Sequence, residues 1–288
     1  LLIWHFDEYD KAREHLELAL ETNPDIAYAH YSMAILLIDQ GHYEMAKEHL
    51  ERAMEMEPDN AAVHYLLATI LDDEFEEYER ARVHYEKALV FGLSDADVHN
   101  RLADLLTAEF NDHNGAKLHY EKAIEIDPND AVAYTNLAIL LQEVYGEYDK
   151  AREYYEKALE IDPDDSITHY NLACLLTDHF NEHEEALRHY ERALEIDPDD
   201  ADIHNTMAIL LTDQFGEHDR ARKHYETALE LDPDDAYAHA NLAELLVERF
   251  GENERARYHY ERALEINPDD DETRSSLESL LKEQSDQR

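Results

Sequence analysis

A strict 35-residue period runs through almost the whole chain. A proline, once replaced by leucine, recurs at each step, and two alanine columns and one tyrosine column keep the same spacing. Self-similarity at this period indicates a repeat architecture, in which each unit is one supersecondary element that packs on its neighbours. Although 288 residues would ordinarily suggest two globular domains, no Gly-, Ser- or Pro-rich linker interrupts the period, which therefore predicts one elongated array. The proline column comprises Pro58, Leu93, Pro128, Pro163, Pro198, Pro233 and Pro268.

Each repeat has the pattern of two amphipathic helices. Residues 131–142 place apolar side chains at helical spacing on one face, and residues 148–161 do so on another. Between them, Gly146 belongs to a column that is mostly glycine or asparagine, the residues that tolerate the left-handed conformation just past a helix end. The D-P-D-D sequence after the second helix stops it and supplies acids for the next helix start. The unit is therefore predicted to be a helical hairpin.

The repeat resembles the tetratricopeptide repeat family. One unit starts with H-x2-M-A-x2-L at His204 and continues with Ala221-x3-Tyr225, Ala228 and Pro233, close to the family pattern. This resemblance implies an all-α fold, a right-handed superhelical α-solenoid of antiparallel helix pairs. Histidine usually replaces the first aromatic residue of the family, and most units carry one extra residue before the second helix. We expect these departures to change packing detail and superhelix pitch without changing the fold.

The two ends of the array differ. We predict eight hairpins over residues 1–268, the first truncated at its N-terminal side, and a cap helix with a tail over residues 269–288. Leu1 aligns with Leu140, and the chain starts without Met, so we expect a fragment or a processed product. Near the C-terminus, Glu278 takes a column that is alanine elsewhere, as expected for a solvating cap.

The charge balance is strongly acidic. The chain has 70 Asp and Glu against 25 Lys and Arg, a formal net charge of −45. Nucleic acids and anionic membranes would be repelled, so we expect neither as a partner. Basic proteins or peptides, weakly bound divalent cations or a salty medium are favoured, and both a halophilic source and an ordinary acidic repeat protein fit. The single cysteine, Cys174, excludes an intramolecular disulfide framework and leaves the compartment open between the cytoplasm and, for a filament, the cell exterior.

The chain contains 19 histidines, most of them in two columns that recur once per hairpin. We expect packed, hydrogen-bonded histidines that form ladders along the stack, because no H-E-x-x-H or C-x2-C spacing occurs. The D-P-D-D acids could collect Ca²⁺, but helix starts and turns use aspartate for structural reasons anyway. Without a phosphate loop or a nucleophile context, we predict no enzyme, no catalytic residue, no metal site and no cofactor. The columns comprise His30, His64, His99, His169, His204 and His239, and His84, His119, His189, His224 and His259.

The resemblance implies that partners bind in a concave groove made by the first helices. The family's carboxylate clamp uses Lys, Arg and Asn there, but Arg101 is nearly the only cation in these columns. Two interpretations stay open: a solvated acidic face, or a track for a basic or extended peptide. At its N-terminal end the groove is apolar and aromatic, which indicates either an interface or a surface covered by upstream helices. The predicted groove comprises Trp4, Tyr28, Tyr31, Ile35, Ile38, Asp72, Asp97, Arg101, Asp104, Asn136, Asn171, Asp202 and Asn241.

Self-assembly is the second functional hypothesis, beside a protein-interaction scaffold. An open solenoid has two different ends, and head-to-tail or lateral contact can give an oligomer or a filament. The apolar N-terminal edge and the replacement of one acidic proline turn by V-F-G-L favour this. We also expect mild acid or salt to change the superhelix pitch or association state, because up to 19 protonated histidines would offset acidic self-repulsion. The predicted self-association residues are Leu1, Ile3, Trp4, Val90, Leu93, Leu277 and Leu281.

Overall fold

The computed structural model describes residues 6–286. Every regular element in that stretch is helical, and no β-strand occurs in it. The chain forms two compact units, Leu1–Val144 and Tyr145–Arg288. The prediction of an all-α chain of consecutive helix pairs is confirmed. The division of the sequence into hairpins over 1–268 and a cap over 269–288 stays a prediction.

In each unit, a first helix packs mainly against the second helix that follows it. The pairs are α2 with α3, α4 with α5 and α6 with α7 in the first unit, and α10 with α11, α12 with α13 and α14 with α15 in the second. The first unit contains α1 (Phe6–Thr22), α2 (Ala27–Asp39), α3 (Tyr43–Met56), α4 (Ala61–Asp73), α5 (Tyr78–Val90), α6 (Ala96–Ala108), α7 (His113–Ile126) and α8 (Ala131–Leu140). The second contains α9 (Tyr148–Ile161), α10 (Ser166–Leu175), α11 (His183–Ile196), α12 (Ala201–Leu210), α13 (His218–Leu231), α14 (Ala236–Leu245), α15 (Asn253–Ile266) and α16 (Asp271–Asp286). Even-numbered helices are called first helices below, and odd-numbered helices second helices.

The repeated alanine and tyrosine columns form the core. Ala81 of α5 and Ala68 of α4 are fully buried, so the small side chains let paired helices approach closely. Tyr85 is also fully buried, and its ring fills the space that the alanines leave. Because each core position recurs every repeat, one substitution in this set removes contacts within a hairpin and its neighbour only.

Side-chain caps start the first helices, as the D-P-D-D pattern predicts. Asn60 accepts hydrogen bonds from the N–H groups of Ala62 (3.1 Å) and Val63 (3.3 Å) at the start of α4. A cap of this kind contributes about 1 kcal/mol to helix stability. The aspartates that cap five other first helices are Asp95, Asp130, Asp165, Asp200 and Asp235, whereas α2 follows Ile26 and has no side-chain cap.

The extra residue of most repeats widens the end of the first helix. In the repeat without it, the N–H of His42 donates to the carbonyl oxygen of Leu37 (2.8 Å). With it, the corresponding bond from Glu182 reaches back one residue further, to Leu176 (3.1 Å). The sequence shows where the extra residue lies but not its conformation. A π-helical turn absorbs one extra residue without breaking the helix. The π-helical segments are Leu141–Tyr145, Leu176–Phe180, Leu211–Phe215 and Leu246–Phe250.

The residue after this wide turn is left-handed, as predicted from its glycine and asparagine content. Gly146 has φ 61° and Asn181 has φ 55°. Glu76 takes the same conformation with φ 53°, although glutamate has a β-carbon that the left-handed region disfavours. The turn geometry is therefore imposed by the repeat even where the sequence does not favour it.

Candidate functional site

The acidic first-helix face of the first unit is organised around Arg101. Its guanidinium contacts Asp73 (Nη1 to Oδ2, 3.1 Å) and Asp97 (Nε to Oδ2, 3.7 Å). The hydroxyl of Tyr65 also donates to the Asp97 carboxylate. Arg101 therefore bridges α4 and α6 and is itself neutralised by the carboxylates around it. It is not free to clamp a partner carboxylate.

Tyrosine hydroxyls from the second helices hold two further predicted groove acids. The hydroxyl of Tyr120 donates to Asp104 Oδ1 (2.5 Å), and the amide of Asn136 donates to the same oxygen (3.0 Å). Tyr85 donates to Asp72 Oδ2 (3.3 Å). These partners were missed from the sequence, although the tyrosine column recurs 13 or 16 residues after the acids and could have indicated them.

The carboxylates of this face lie close together; Asp72 is half-buried, whereas Asp73, Asp97 and Asp104 are exposed. Desolvation by the surrounding side chains raises the pKa of Asp104. Desolvation, with the adjacent Asp73 charge as the next cause, raises the pKa of Asp72. A raised pKa means that the ionised form is disfavoured here. A cation placed against this face would relieve that cost.

The second unit presents a different first-helix face. The predicted groove residue Asn171 turns its amide back to the Ile167 carbonyl oxygen of its own helix (2.9 Å). Asn241 donates to Asn205 Oδ1 (3.4 Å). Asp202 is exposed, and desolvation raises its pKa. The asparagines are thus engaged with each other and with backbone, and the structure does not bring them together with a cation as a carboxylate clamp requires.

Cys174 lies on the same face of the second unit and accepts a hydrogen bond from the hydroxyl of Tyr190 (3.3 Å). Burial raises the pKa of its thiol. A neutral thiol is a poor nucleophile. Cys174 is therefore a partly buried packing residue with a neutral thiol.

The apolar end of the predicted groove is only partly exposed. Tyr28 is 75% exposed, whereas Tyr31, Ile35 and Ile38 are half-buried on α2. Desolvation raises the pKa of Tyr31. Trp4 falls outside the described residues, as do Leu1 and Ile3 of the predicted self-association set.

The other predicted self-association residues differ in their exposure to solvent. Val90 is 78% exposed at the end of α5, and Leu281 is exposed on α16. Leu93 and Leu277 are half-buried. Between Val90 and Leu93, the ring of Phe91 stacks on His64 with a centroid distance of 5.4 Å. Phe91 of the V-F-G-L segment therefore packs against its own repeat, which the sequence did not reveal.

In six hairpins, a histidine of the first column pairs with one of the second. The sequence did not predict this pairing, which arises because the hairpin register brings residues about 20 positions apart face to face. In His64 and His84, for example, the two Nδ1 atoms are 2.8 Å apart, and His64 Nε2 lies 2.8 Å from the Pro58 carbonyl oxygen. The expectation of packed, hydrogen-bonded histidines is confirmed. The pairs are His30 with His49, His64 with His84, His99 with His119, His169 with His189, His204 with His224 and His239 with His259.

The hydrogen bonds fix the protonation pattern of a pair. A carbonyl oxygen only accepts, so Nε2 of His64 carries its proton and Nδ1 is left as an acceptor. Nδ1 of His84 must then donate. Desolvation, followed by the charge of His64, lowers the pKa of His84 to about 4. In the same way, desolvation and then the charge of the paired first-column histidine lower the pKa to about 4 in His119, His189, His224 and His259.

These shifts correct the expectation that 19 histidines approach protonation near pH 5 to 6. The second members of five pairs stay neutral there, because their pKa lies near 4. Burial also lowers the pKa of first-column members such as His169 and His239. The charge change in mild acid is therefore smaller than the histidine count suggests.

The acids of the D-P-D-D turns are occupied by local hydrogen bonds. Asp162 Oδ1 accepts from the N–H of Asp164 (3.1 Å), and Asp165 Oδ1 accepts from the N–H of Ile167 (3.2 Å). Across the described part of the chain, no group of three or more His, Cys, Asp or Glu side chains is placed to hold a metal ion. In the same stretch, no helix is both long enough and apolar enough to cross a bilayer.

Comparisons with known proteins agree with the repeat pattern. Profiles described as tetratricopeptide repeat match residues 5–70, 96–130, 130–199, 189–223 and 208–271. A comparison with curated protein sequences gives no match.

Solved structures of repeat proteins resemble the chain. YrrB, described as a TPR protein with an unusual peptide-binding site, is 25% identical with a TM-score of 0.55, over 64% of this chain and 93% of YrrB. PilF of Pseudomonas aeruginosa is 23% identical with a TM-score of 0.66, over 76% of this chain and 97% of PilF. Yeast Tom70 is 20% identical with a TM-score of 0.57, over 97% of this chain and 60% of Tom70. The last two likenesses concern the fold alone.

Proposed function

Because the chain belongs to the tetratricopeptide repeat family, we propose that it is a non-enzymatic protein-interaction scaffold that binds a basic, extended segment of a partner on its first-helix face. One observation carries the choice of a basic segment. Two carboxylates of the first unit, on Asp73 and Asp97, contact the guanidinium of Arg101, and two more, on Asp72 and Asp104, are near enough to feel its charge.

The electrostatics of this cluster support a cationic ligand. Desolvation raises the pKa of Asp72 and of Asp104, and a cation close to these carboxylates would favour their ionised form. A lysine or arginine of a partner would stabilise the ionised carboxylates and displace no existing ion pair of Asp104. The overall charge of −45 would speed the encounter with a basic segment at low salt.

The resemblance to YrrB supports a peptide as ligand. That protein carries a peptide-binding site by its description, and it covers 64% of this chain at 25% identity. An extended peptide also suits the geometry of the first unit, because acidic side chains lie on both α4 and α6, which Arg101 joins. The aromatic and apolar side chains of α2 would contribute contact area at one end of such a track.

Fluorescence anisotropy with a labelled peptide of alternating lysine and glycine tests the proposal. We expect binding that weakens steeply with salt, and a loss of about fivefold to tenfold in affinity for Asp104→Asn, the worth of one partly solvated charge contact. Glu79→Gln is the matched control, since it removes one exposed acid from the second helix α5. Equal affinity loss in both variants would show that only net charge matters and would contradict a defined site.

Self-association is a second candidate function, favoured by the exposed Val90. This side chain is 78% exposed, with the partly exposed Phe91 next to it. A lateral contact through these residues would bury apolar surface without using either end of the chain. Light scattering of the wild type and Val90→Asp, at low and high salt, tests this. A strict monomer under both salt conditions would exclude it.

A further inference from the structure

Arginines clamp consecutive second helices together at several places along the chain. The guanidinium of Arg80 on α5 contacts Glu51 on α3 (3.1 Å) and also pairs with Glu77 at the start of its own helix. The carbon stem of such an arginine crosses the space between two second helices. We call this arrangement the arginine clamp. It recurs as Arg220 with Glu191 and Glu217, and as Arg255 with Glu226 and Glu252.

Helices α1 and α3 have carboxylates at the corresponding positions but no arginine clamp joins them. Met45 occupies the arginine column and is 48% exposed. Glu17 occupies the column of Glu51, and His42 replaces the helix-start glutamate. Within residues 6–286, no basic side chain pairs with Glu17 or with Glu21 one turn later. Two like charges four residues apart on one helix repel each other when neither is paired.

A cavity of about 510 Å³ opens at this place. The buried side chains of Met33 and Leu37 form its apolar floor, together with Leu20 and Met45. Glu17 and Glu21 line its rim, as do His42 and His49. Arg13 also lines the cavity, but its guanidinium donates to Gln40. The cavity thus combines an apolar floor with a rim of two carboxylates and one guanidinium, so its negative charge is in excess.

We propose that this cavity binds an arginine side chain of a partner protein, which takes the place of the missing clamp arginine. The aliphatic stem would lie on the methionine and leucine floor, and the guanidinium would pair with Glu17 and Glu21. In the three intact clamps, the arginine pairs with a glutamate of the Glu17 column and with a helix-start glutamate; here Glu21 would replace the second partner. The proposal rests on the scaffold function and adds a site separate from the first-helix face.

The chemistry of the cavity distinguishes arginine from other ligands. Arginine presents a planar fork of donors that can reach two carboxylates at once, whereas lysine is a point charge. A purely apolar side chain would leave the excess negative charge of the rim uncompensated beside it. A neutral polar side chain would gain the floor contact and lose the charge interaction.

The methionine methyl groups provide a direct probe. The chain has five methionines, of which Met33 and Met45 line the cavity, while Met207 lies in the second unit. With 13C-methyl-methionine label in the full chain, N-acetyl-arginine amide should shift the Met33 and Met45 signals and leave Met207 unchanged. N-acetyl-citrulline amide, the neutral isostere, and N-acetyl-lysine amide should give much smaller shifts at equal concentration. No response to the arginine probe, or equal responses to all three, would overturn the proposal.

Two variants complete the test. Glu17→Gln should weaken the arginine response about tenfold, the expected worth of one charge-assisted contact. Met45→Arg rebuilds the clamp within the chain and should abolish the response of Met33. An unchanged Met33 response in Met45→Arg would overturn the proposal. Asp104→Asn should leave these shifts intact, so failure of the first-helix face and failure of this cavity give different results.

Discussion

The paired histidines predict a specific loss of stability in acid. His84 is 7% exposed, and its pKa is lowered to about 4 from the unfolded value of 6.5. A lowered folded pKa means that the unfolded chain takes up the proton first. The contribution is therefore complete above about pH 6.5 and is lost as the pH falls from there toward 4. Between pH 7.5 and 5.0 this single group should cost about 2 kcal/mol.

The variant His84→Asn isolates this effect. The side-chain amide N–H of asparagine takes the place of the His84 Nδ1–H and can still donate to Nδ1 of His64. Unlike histidine, asparagine does not titrate. Urea unfolding followed by circular dichroism at both pH values gives the free energy of unfolding for each protein. We expect the pH-dependent loss to be about 2 kcal/mol smaller in the variant. His15→Asn, on the exposed side of α1, is the control.

Other groups titrate in the same range, which is why the difference between proteins matters. Protonation of carboxylates relaxes repulsion along the acidic chain and has the opposite sign. This contribution is common to the wild type and the variant, so it cancels. The reasoning would be refuted if His84→Asn and the wild type lost the same free energy between pH 7.5 and 5.0.

Two further predictions concern the fold. Glu76→Gly should stabilise the protein by about 0.5–1 kcal/mol in urea unfolding, because glycine accepts the left-handed conformation without strain; destabilisation would contradict it. Ala158→Leu should cost about 2–3 kcal/mol by overpacking a buried helix contact, whereas Ala→Leu at the half-exposed position Ala240 should cost under 1 kcal/mol. Equal costs at the two positions would contradict the assignment of the alanine columns to the core.

The fold was largely predictable because the same residue types recur at the same positions in each repeat. Ala81, Tyr85 and the glycine column each recur at one spacing, so hairpin, core and turn could be assigned together. The π-helical turns could not be predicted, because an insertion of one residue is equally compatible with a longer loop. His64 and His84 were assigned to packed columns, but their mutual contact depends on how the two helices of a hairpin are rotated.

The candidate site was less predictable than the fold. The acidic residues of the first-helix face were identified from their columns, but the partners that hold them were not. The sequence shows Tyr120 only as a member of the repeated tyrosine column, and the structure shows that its hydroxyl reaches Asp104. The absent arginine at Met45 was also missed, because its meaning depends on the ion pairs that other repeats make at the same position. Side-chain partners across helices are set by packing, which a periodic sequence pattern does not specify.

Carboxylate footprinting tests the central claim most directly. The chain would be labelled with a carbodiimide and an amine, with and without the lysine–glycine peptide, and each modified acid quantified by mass spectrometry. We predict protection of Asp73, Asp97 and Asp104 on the first helices, with no change at Glu79 on the second helix α5. Equal protection of first-helix and second-helix acids would contradict a defined first-helix binding face.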